Sequence, residues 1–480
     1  WGHASGPTHA SNPGGTGDMI SNNVDYSPWL GFVVGTTPMT WHVNPTGAPG
    51  AIQEAINAAS PGDTVIVHDG TYDEQVVINK SLTVQGGSTP IVKPSSAAKL
   101  TTILDGRYWG GTKQIAGIIV ANAAGGSVTV KDLIIDGENV ITKPAGADYV
   151  TGIFYRETGG LIDTVTIANM TIDATGTSVR AYGIYLSAIT YTVSVEIKDC
   201  NISNYDKNGI NAHGNKLTVN IHDNTITGRG PLPSGDEVQN GVVIMDSAIA
   251  TVNSNTISGM AYIPETWWSA GILFLDGGNG CSANYNTIND CQIGIIFNDM
   301  SGSATGNTVH GEGKCGLVLQ QSWGTGTWTA SFVNNTVDDC DTEGIGVHSY
   351  DADTSLTATI DSNNLNGGLG VGILIGDIPD YSPAGNITVT ITNNNISDWH
   401  HGIHLASSVI DATITGNTIT DFEKGGIVTR AAKNILIEGN TISTTLHDLA
   451  PNGIDIGTYN GTTGTVKGNT ISGCSWKDFT

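Results

Sequence analysis

A column of carboxylates recurs at one position of the sequence. Asp246, Asp276 and Asp299 each stand five residues after a glycine that is followed by a branched apolar residue. If successive copies of this phrase stack as strands, their carboxyl groups lie about 5 Å apart. That separation suits the carboxylate pair of a retaining glycosidase and also the oxygen ligands of Ca²⁺. Asp is equally common at turns that follow strands. The column therefore predicts a Ca²⁺ site, a sugar site or a set of turn residues.

Aromatic residues in two enlarged loops are candidates for carbohydrate binding, because sugar rings pack on aromatic faces and loops often carry function. This hypothesis rests on Tyr262, Glu265, Trp267, Trp268 and Trp323. The alternative is that these rings fold over the flank of the protein and shield it from water. Both interpretations stay open from sequence.

Three histidines, His400, His401 and His404, lie close together in one strand-like stretch. Consecutive residues of a strand point to opposite faces. We therefore expect His400 and His401 to be separated, with His404 on the side of only one of them, and predict no transition-metal site here.

The elements that must position these residues follow from an internal repeat. From residue 169 onward, the phrase Asn-Thr-Ile or a close variant recurs about every 27 residues. Each copy is followed by a gap and then by Gly and an apolar residue. Two residues before the apolar anchor, an asparagine recurs at Asn224, Asn255, Asn286, Asn307, Asn335, Asn363, Asn394, Asn417, Asn440 and Asn469. We predict that this asparagine column is a structural ladder.

Short alternating runs of Ile, Val and Thr bounded by Gly, Asn and Asp are typical of strands and turns. A fixed phrase with a variable gap indicates constant strands joined by variable turns. The sequence predicts an all-β fold, a right-handed parallel β-helix of about 12 or more coils. Apolar residues at helical spacing over residues 51–60 predict a short N-terminal helix that caps the first coil.

The stretch from Ala51 to Gly86 includes IQEAINAASPGDTVIVHDGTY and INKSLTVQG. It resembles the opening of NosD-like β-helices of the pectin-lyase superfamily. The resemblance covers residues 41–480 and implies the fold more strongly than the function, because the superfamily holds enzymes, adhesins and surface-layer proteins. Polysaccharide lyases of this class use an Arg or Lys base beside acidic metal ligands. In this chain the arginines are scattered over the coil alignment, at Arg107, Arg156, Arg180, Arg229 and Arg430. The comparison with these lyases therefore favours a protein that is not an enzyme.

Residues 1–40 form a predicted N-terminal extension ahead of a β-helix domain at 41–480. The segment from Trp1 to Leu30 resembles the motif that usually closes such a β-helix after its last coil. We therefore expect head-to-tail self-association, with Trp1, Pro28 and Trp29 seated against the coil of Ile471. The chain has no Met start and no signal peptide, which favours a mature or excised segment.

The composition limits the classes of partner that the protein can bind. Nineteen basic and 44 acidic residues give a net charge of −25, which argues against nucleic acid. No apolar run is long enough for a membrane helix, and six widely spaced cysteines do not form a disulfide scaffold. We expect an extracellular or cell-surface protein with no certain cofactor, with Ca²⁺ as the one candidate, and with cell-surface polysaccharide as a further partner.

Two classes of function follow from these observations. The main interpretation is a structural building block of an extracellular layer, sheath or filament. The alternative is a polysaccharide-active enzyme (lyase, glycoside hydrolase or epimerase) or a carbohydrate-binding adhesin. Its catalytic residues are not identified from sequence.

Overall fold

The structure, a computed structural model, describes residues 7–9, 17–19, 31–32, 38–45, 50–108, 111–138, 140, 144–172, 180–233, 237–263, 269–311, 313–376, 385–406, 409–430, 432–446, 451–457 and 463–474. The chain divides into two compact units. Unit 1 comprises residues 1–229 and 235–237, and unit 2 comprises residues 230–234 and 238–480. Each unit is described by itself.

Each coil of the repeat contains three strand positions, in line with the alternating runs of the sequence. The phrase strand carries the Gly-apolar pair, the middle strand follows it, and the anchor strand carries the Asn-Thr-Ile phrase. In unit 1 the phrase strands are Gly111–Ala121, Tyr149–Arg156, Arg180–Ser187 and Asn208–His213. The middle strands are Ser127–Lys131, Gly159–Asp163, Val193–Lys198 and Leu217–His222. The anchor strands are Ile134–Asp136, Thr166–Ala168, Asn201–Ser203 and Thr225–Pro233, the last of which runs past Arg229.

The beginning of unit 1 is built from shorter pieces. Its strands are Pro7–Thr8, Gly17–Met19, Gly31–Phe32, Thr40–Val43, Thr64–Val67, Thr71–Tyr72, Val76–Ile78, Thr83–Gly86, Ile91–Val92 and Ile103–Tyr108. The helical pieces are an α-helix, Ala51–Ala58, and a 3₁₀ turn, Ala97–Lys99.

Unit 2 repeats the same three positions. Its phrase strands are Asn240–Met245, Ala270–Leu275, Ile293–Asn298, Cys315–Gln321, Glu343–Ser349, Gly425–Thr429 and Asn452–Ile456. Its middle strands are Ile249–Asn253, Cys281–Asn284, Gly302–Thr305, Thr327–Val333, Ser355–Asp361, Asn386–Thr392, Val409–Thr415, Asn434–Glu438 and Thr463–Lys467. Its anchor strands are Thr256–Ile263, Thr287–Asn289, Thr308–His310, Thr336–Cys340, Thr418–Thr420, Thr441–Ser443 and Thr470–Ser472. Asn364–Ile375 and Asn395–Leu405 each join an anchor and a phrase strand.

Successive coils pair in parallel and in register. Ile257 pairs with Ile288, and Ile288 pairs with Val309. All three side chains are fully buried, and burying such a side chain contributes about 1.5–3 kcal/mol. The stacked anchors therefore form the core, and the prediction of an all-β parallel β-helix is confirmed.

The asparagines lie directly beside this core. From Asn286 to Asn469 in unit 2, each asparagine Oδ1 accepts a hydrogen bond from both the backbone N–H and the side-chain Nδ2 of the asparagine one coil earlier, at 2.9–3.0 Å. In unit 1, Asn224 bonds the backbone of Ile197 and Cys200. These buried amides satisfy backbone groups at the turn between the middle and anchor strands.

The capping helix spans Ala51–Ala58, with Ala51, Ile52, Ala55 and Ile56 buried. It ends earlier than expected from sequence because Ala59 is already extended ahead of Pro61. The Glu74 carboxylate accepts hydrogen bonds from the N–H groups of Ile52 and Gln53 at 3.0 and 2.9 Å. It thereby satisfies the first turn of the helix, whose N–H groups have no intrahelical partner.

One feature of unit 1 departs from the parallel pattern. Strand Ile103–Tyr108 runs antiparallel to the start of Gly111–Ala121. Its residue Asp105 is buried, with 2% of its surface exposed. This hairpin interrupts the repeat, and the coil alignment did not predict it.

All six cysteines are free, and five of them are buried. Among the described residues, no helix is both long and apolar enough to cross a membrane.

Candidate functional site

A cluster of opposite charges lies where two phrase strands of unit 1 begin. Lys207 Nζ and Arg180 Nε each lie 3.5 Å from the same carboxylate oxygen, Oε2 of Glu237. The side chains of Lys207, Glu237 and Arg180 are 16%, 22% and 31% exposed. The cluster is thus partly withdrawn from water but accessible to a ligand.

The register of the strands explains why these residues meet. Arg180 is the first residue of its phrase strand, and Lys207 directly precedes the phrase strand of the next coil, Asn208–His213. The Lys207 N–H donates to the Ala181 carbonyl at 2.9 Å. Glu237 stands a few residues before the phrase glycine Gly241. All three charged residues therefore lie just upstream of the Gly-apolar phrase in consecutive copies of the repeat.

Lys207 is the titratable group of the cluster with the clearest perturbation. Burial lowers its pKa, the Glu237 carboxylate raises it, and the Arg180 guanidinium lowers it further, for a pKa of about 8. A substantial fraction of Lys207 is therefore uncharged just above neutral pH. A lysine tuned in this way is suited to accept a proton from a substrate.

A second ion pair supports the neighbouring backbone. Asp206, the residue before Lys207, accepts a hydrogen bond from Arg229 Nη1 at 2.7 Å and from the Ile172 N–H at 2.6 Å. These contacts hold the approach to the strand Asn208–His213. They also fix the backbone that carries Lys207.

An aromatic wall adjoins the cluster. The Arg180 guanidinium lies 6.0 Å from the centre of the Tyr149 ring, in a cation–π arrangement. The Tyr149 and Tyr182 rings pack edge to face at 5.4 Å, as do Tyr182 and Tyr185 at 5.3 Å. Tyr182 and Tyr185 are fully buried, so the wall is a rigid support for Arg180.

The antiparallel hairpin contributes a buried polar contact to the same sheet face. Asp105 accepts a hydrogen bond from Ser187 Oγ at 2.6 Å, and its second oxygen lies 2.9 Å from His213 Nε2. The serine bonds to the acid and not to the histidine, so this is not the arrangement of a serine hydrolase. The contact holds the hairpin against the sheet.

The structure brings the three aspartates of the predicted column together in unit 2. Met245, Leu275 and Asn298 pair in register, so the aspartate after each one stacks on successive coils. Burial and the neighbouring Asp246 and Asp299 carboxylates raise the pKa of Asp276. All three aspartates have φ near +50°, so they are also turn residues.

Asp299 has a definite structural partner. Its carboxylate accepts hydrogen bonds from the N–H groups of Ser322, Trp323 and Gly324 at 2.9–3.4 Å. Glu157 does the same for residues 189–191 in unit 1. Asp299 therefore orders the loop that carries Trp323, whose side chain is 64% exposed.

Of the other predicted carbohydrate-binding residues, the structure describes Tyr262. Tyr262 is only 5% exposed, so its ring offers no face to a sugar and its assignment is wrong. Glu265, Trp267 and Trp268 lie outside the described residues, as do Trp1, Pro28 and Trp29 of the predicted assembly contact. Ile471 pairs with Ile442 and is partly buried.

The expectation that His400 and His401 are separated is wrong. His400 Nδ1 lies 3.1 Å from His401 Nδ1, and the His401 ring centre lies 5.4 Å from that of His404. The register against the preceding strand shifts between Gly368 and Val371. The extra residue of this bulge lies on the strand Asn364–Ile375, opposite the segment that carries His400.

Within the described ranges, no group of three or more His, Cys, Asp or Glu side chains is arranged to hold a metal ion. The Ca²⁺ site predicted at Asp246, Asp276 and Asp299 stays a prediction.

Comparison with known proteins places the fold. The family model described as "Right handed beta helix region" matches residues 151–337 and 346–478. The chain belongs to this right-handed β-helix family. The predicted handedness is thereby confirmed. No curated protein sequence matches the chain at a significant level.

Three solved structures illustrate the structural likeness. A family 28 exopolygalacturonase from Yersinia enterocolitica has a TM-score of 0.47 and 13% identity, over 82% of this β-helix chain and 78% of its own. A PL6 family polysaccharide lyase from Pseudopedobacter saltans has a TM-score of 0.47 and 14% identity, over 90% of this chain and 92% of its own. The catalytic unit of a GH87 α-1,3-glucanase from Streptomyces thermodiastaticus has a TM-score of 0.44 and 14% identity, over 96% of this chain and 72% of its own.

These structures correct the main functional interpretation from sequence. The three proteins are an exopolygalacturonase, a polysaccharide lyase and a glucanase. The interpretation as a structural building block of a layer, sheath or filament is therefore wrong. Sequence reasoning missed Lys207, Arg180 and Glu237 because it aligned residues after the phrase glycine. They stand at different distances upstream of their phrase glycines, so no single column of the alignment brings them together.

Proposed function

We propose that this β-helix protein is a polysaccharide lyase that acts on a uronate-containing polysaccharide, with its active site at Lys207, Arg180 and Glu237 of unit 1. The observation that carries the proposal is a partly buried lysine with a pKa of about 8, held beside an arginine and a carboxylate. Perturbed titratable groups of this kind concentrate at active sites.

The chemistry follows from the three side chains. Uncharged Lys207 removes the proton on the sugar carbon next to the uronate carboxylate. The electron pair forms a carbon–carbon double bond as the bond to the glycosidic oxygen breaks, and the departing oxygen takes a proton from water. The products are a new reducing end and an unsaturated sugar.

Arg180 is suited to bind the uronate carboxylate. Its guanidinium offers paired donors to a planar anion, and Tyr149 supports it from one side. Negative charge grows on the carboxylate as the proton leaves, so a fixed cation there stabilises the transition state more than the ground state. Glu237 orients both cations through its shared oxygen.

A second candidate function is glycoside hydrolysis at Asp246 and Asp276 of unit 2. The raised pKa of Asp276 is what a general acid requires, and the coil spacing of about 5 Å suits a retaining pair. Asp299 is less suited to chemistry, because its carboxylate already caps a loop.

An extracellular or cell-surface location, a polysaccharide partner, self-association and a role for Ca²⁺ complete the proposal. The acidic composition, with a net charge of −25, supports the location and the role for Ca²⁺. The proposed substrate supports the polysaccharide partner, and the resemblance of residues 1–30 to a closing motif supports self-association.

The test compares products and variants on a panel of uronate polymers and neutral glucans. The lyase proposal expects unsaturated products that absorb ultraviolet light, together with new reducing ends. Lys207→Gln abolishes them, whereas Lys198→Gln, which replaces a partly exposed lysine of unit 1 paired with Asp163, leaves activity unchanged. Reducing ends without unsaturation, lost in Asp276→Asn, indicate the hydrolase instead.

A further inference from the structure

The three histidines of unit 2 form a compact group on the strand Asn395–Leu405. His401 lies between the other two, in contact with the ring of His400 at 4.7 Å and of His404 at 5.4 Å between ring centres. The paired strand of the next coil leaves room for the His401 ring. Gly425, its in-register neighbour on the next coil, has no side chain, and a Cβ there would lie 3.3 Å from the His401 ring.

The charged groups that face this group come mainly from the next two coils. Lys424 and Arg430 flank the strand Gly425–Thr429, and Arg430 Nη1 donates to Asp455 Oδ2 at 3.2 Å. Glu423 adjoins Lys424 on the same turn. On the preceding coil, the residues that pair with His401 and His404 are Val371 and Leu374, which carry no charge.

Burial and neighbouring cations both lower the pKa values of the group. Burial, then His400, His404, Lys424 and Arg430, lower the pKa of His401 to about 4. Burial and Arg430 also lower the pKa of His404, with Asp455 opposing, and burial and Lys424 lower that of His400, with Glu423 opposing. Burial is the largest cause in each case, and it favours the uncharged imidazole.

One polar atom in this group has no partner among the described residues. Nε2 of His404 is buried and makes no hydrogen bond to any of them. A buried polar group without a hydrogen bond costs about 1–3 kcal/mol. A ligand oxygen would relieve that cost. Arg430, whose charge acts on both His401 and His404, adds a cation beside the group.

We propose that His401, His404 and Arg430 form a binding site for a carboxylate group of an acidic polysaccharide, separate from the Lys207 cluster. The proposal rests on the proposed function for its choice of ligand, because a uronate polymer presents such a carboxylate on each sugar. Its role is to hold the polymer and not to react with it. Arg430 is 53% exposed and supplies the charge, and the imidazole nitrogens supply hydrogen bonds.

The site has a distinctive dependence on pH. A bound carboxylate favours the protonated imidazole, so binding takes up a proton. Affinity therefore increases as the pH falls. Between about pH 7.5 and about pH 5.5 the increase is roughly tenfold, because one proton is taken up on binding over about half of that interval. A site made only of Lys424 and Arg430 would keep its affinity over the same interval.

The test is calorimetric titration of the full chain with a short oligogalacturonate at low ionic strength. We expect His401→Gln/His404→Gln to weaken binding at least about tenfold and to abolish its pH dependence. Arg430→Gln, at an exposed position, should weaken binding without affecting the fold. The matched control is His310→Gln, an exposed histidine of the same unit that pairs with Asp338, and it should bind as the parent does.

Several outcomes overturn the proposal. They are equal affinity of the double variant and the parent, equal affinity for a neutral oligosaccharide, or equal affinity for free acetate. Binding of Ni²⁺ or Cu²⁺ that the double variant loses, with no oligosaccharide binding, assigns the histidines to a metal instead. Because binding is measured without turnover, loss of affinity in these variants supports the site even if Lys207 proves inactive.

Discussion

Lys207 Nζ and Arg180 Nε share a single oxygen of Glu237, each at 3.5 Å. The carboxylate holds two cations together at the start of neighbouring phrase strands. It also opposes the fall in the pKa of Lys207 that burial and Arg180 cause. The relationship makes the ionisation of Lys207 depend on Glu237.

Glu237→Gln should therefore shift the activity profile toward lower pH. Without the carboxylate, burial and Arg180 lower the pKa of Lys207 below about 8, so the lysine loses its proton earlier as the pH rises. The measurement is the initial rate against pH for the parent and the variant. A variant profile that is unchanged, or moved to higher pH, contradicts the assignment of Lys207 as the base.

The asparagine column should contribute to stability and not to binding. In Asn307→Ala, the N–H and Nδ2 groups of Asn286 and the Ala283 carbonyl lose their partner, at about 1–3 kcal/mol per buried group. Denaturant unfolding measures the loss. Asn395→Ala is the control, because its side chain is exposed and bonds only Asn364. Equal stability of Asn307→Ala and the parent would refute a structural ladder.

Asp276→Asn should raise the melting temperature slightly at neutral pH. The pKa of Asp276 is raised in the folded state, so ionisation is less favourable there than in the unfolded chain. Stability therefore falls as the pH rises through the unfolded pKa and then the folded pKa. Removing the charge relieves this loss above that window and has no effect below it. The gain is small because the residue is exposed.

Calcium provides a direct test of the aspartate column. If Asp246, Asp276 and Asp299 bind Ca²⁺, millimolar Ca²⁺ raises the melting temperature of the parent and a chelator lowers it, by binding linkage. The effect should vanish in Asp276→Asn. A melting temperature that does not respond to Ca²⁺ or chelator withdraws the site and leaves the aspartates as turn residues.

The hairpin contact in unit 1 should be stabilising. Asp105→Ala leaves Ser187 Oγ and His213 Nε2 without their buried partner, which costs about 2–5 kcal/mol. Thermal unfolding measures this cost. Asp353→Ala, at an exposed position of unit 2, is the control. Unchanged stability in Asp105→Ala would show that the hairpin is held by other contacts.

Much of the fold follows from sequence because the repeat is periodic. The anchors at Ile257, Ile288 and Val309 pair in register, as their common phrase requires. The helix over Ala51–Ala58 was also predictable, because its apolar residues recur at helical spacing. Neither prediction depends on long-range information beyond the stacking of like residues.

The candidate site was less predictable. Lys207 and Glu237 stand at different distances from their phrase glycines, so a fixed alignment does not bring them together. The position of the hairpin residue Asp105 beside His213 depends on an antiparallel insertion that no repeat encodes. His400 and His401 meet opposite a bulge of the preceding strand, which the repeat does not encode. These features arise from irregularities that periodicity does not describe.

The central claim is that Lys207 removes a proton from a uronate polymer, and its most direct test is the formation of unsaturated products by the parent and Lys207→Gln as a function of pH. The account predicts that the parent forms them, with a rate that increases through about pH 8 as Lys207 loses its proton. It also predicts that Lys207→Gln, folded by the same melting criterion as Lys198→Gln, forms none. Unsaturated products from Lys207→Gln at the rate of the parent would contradict the account.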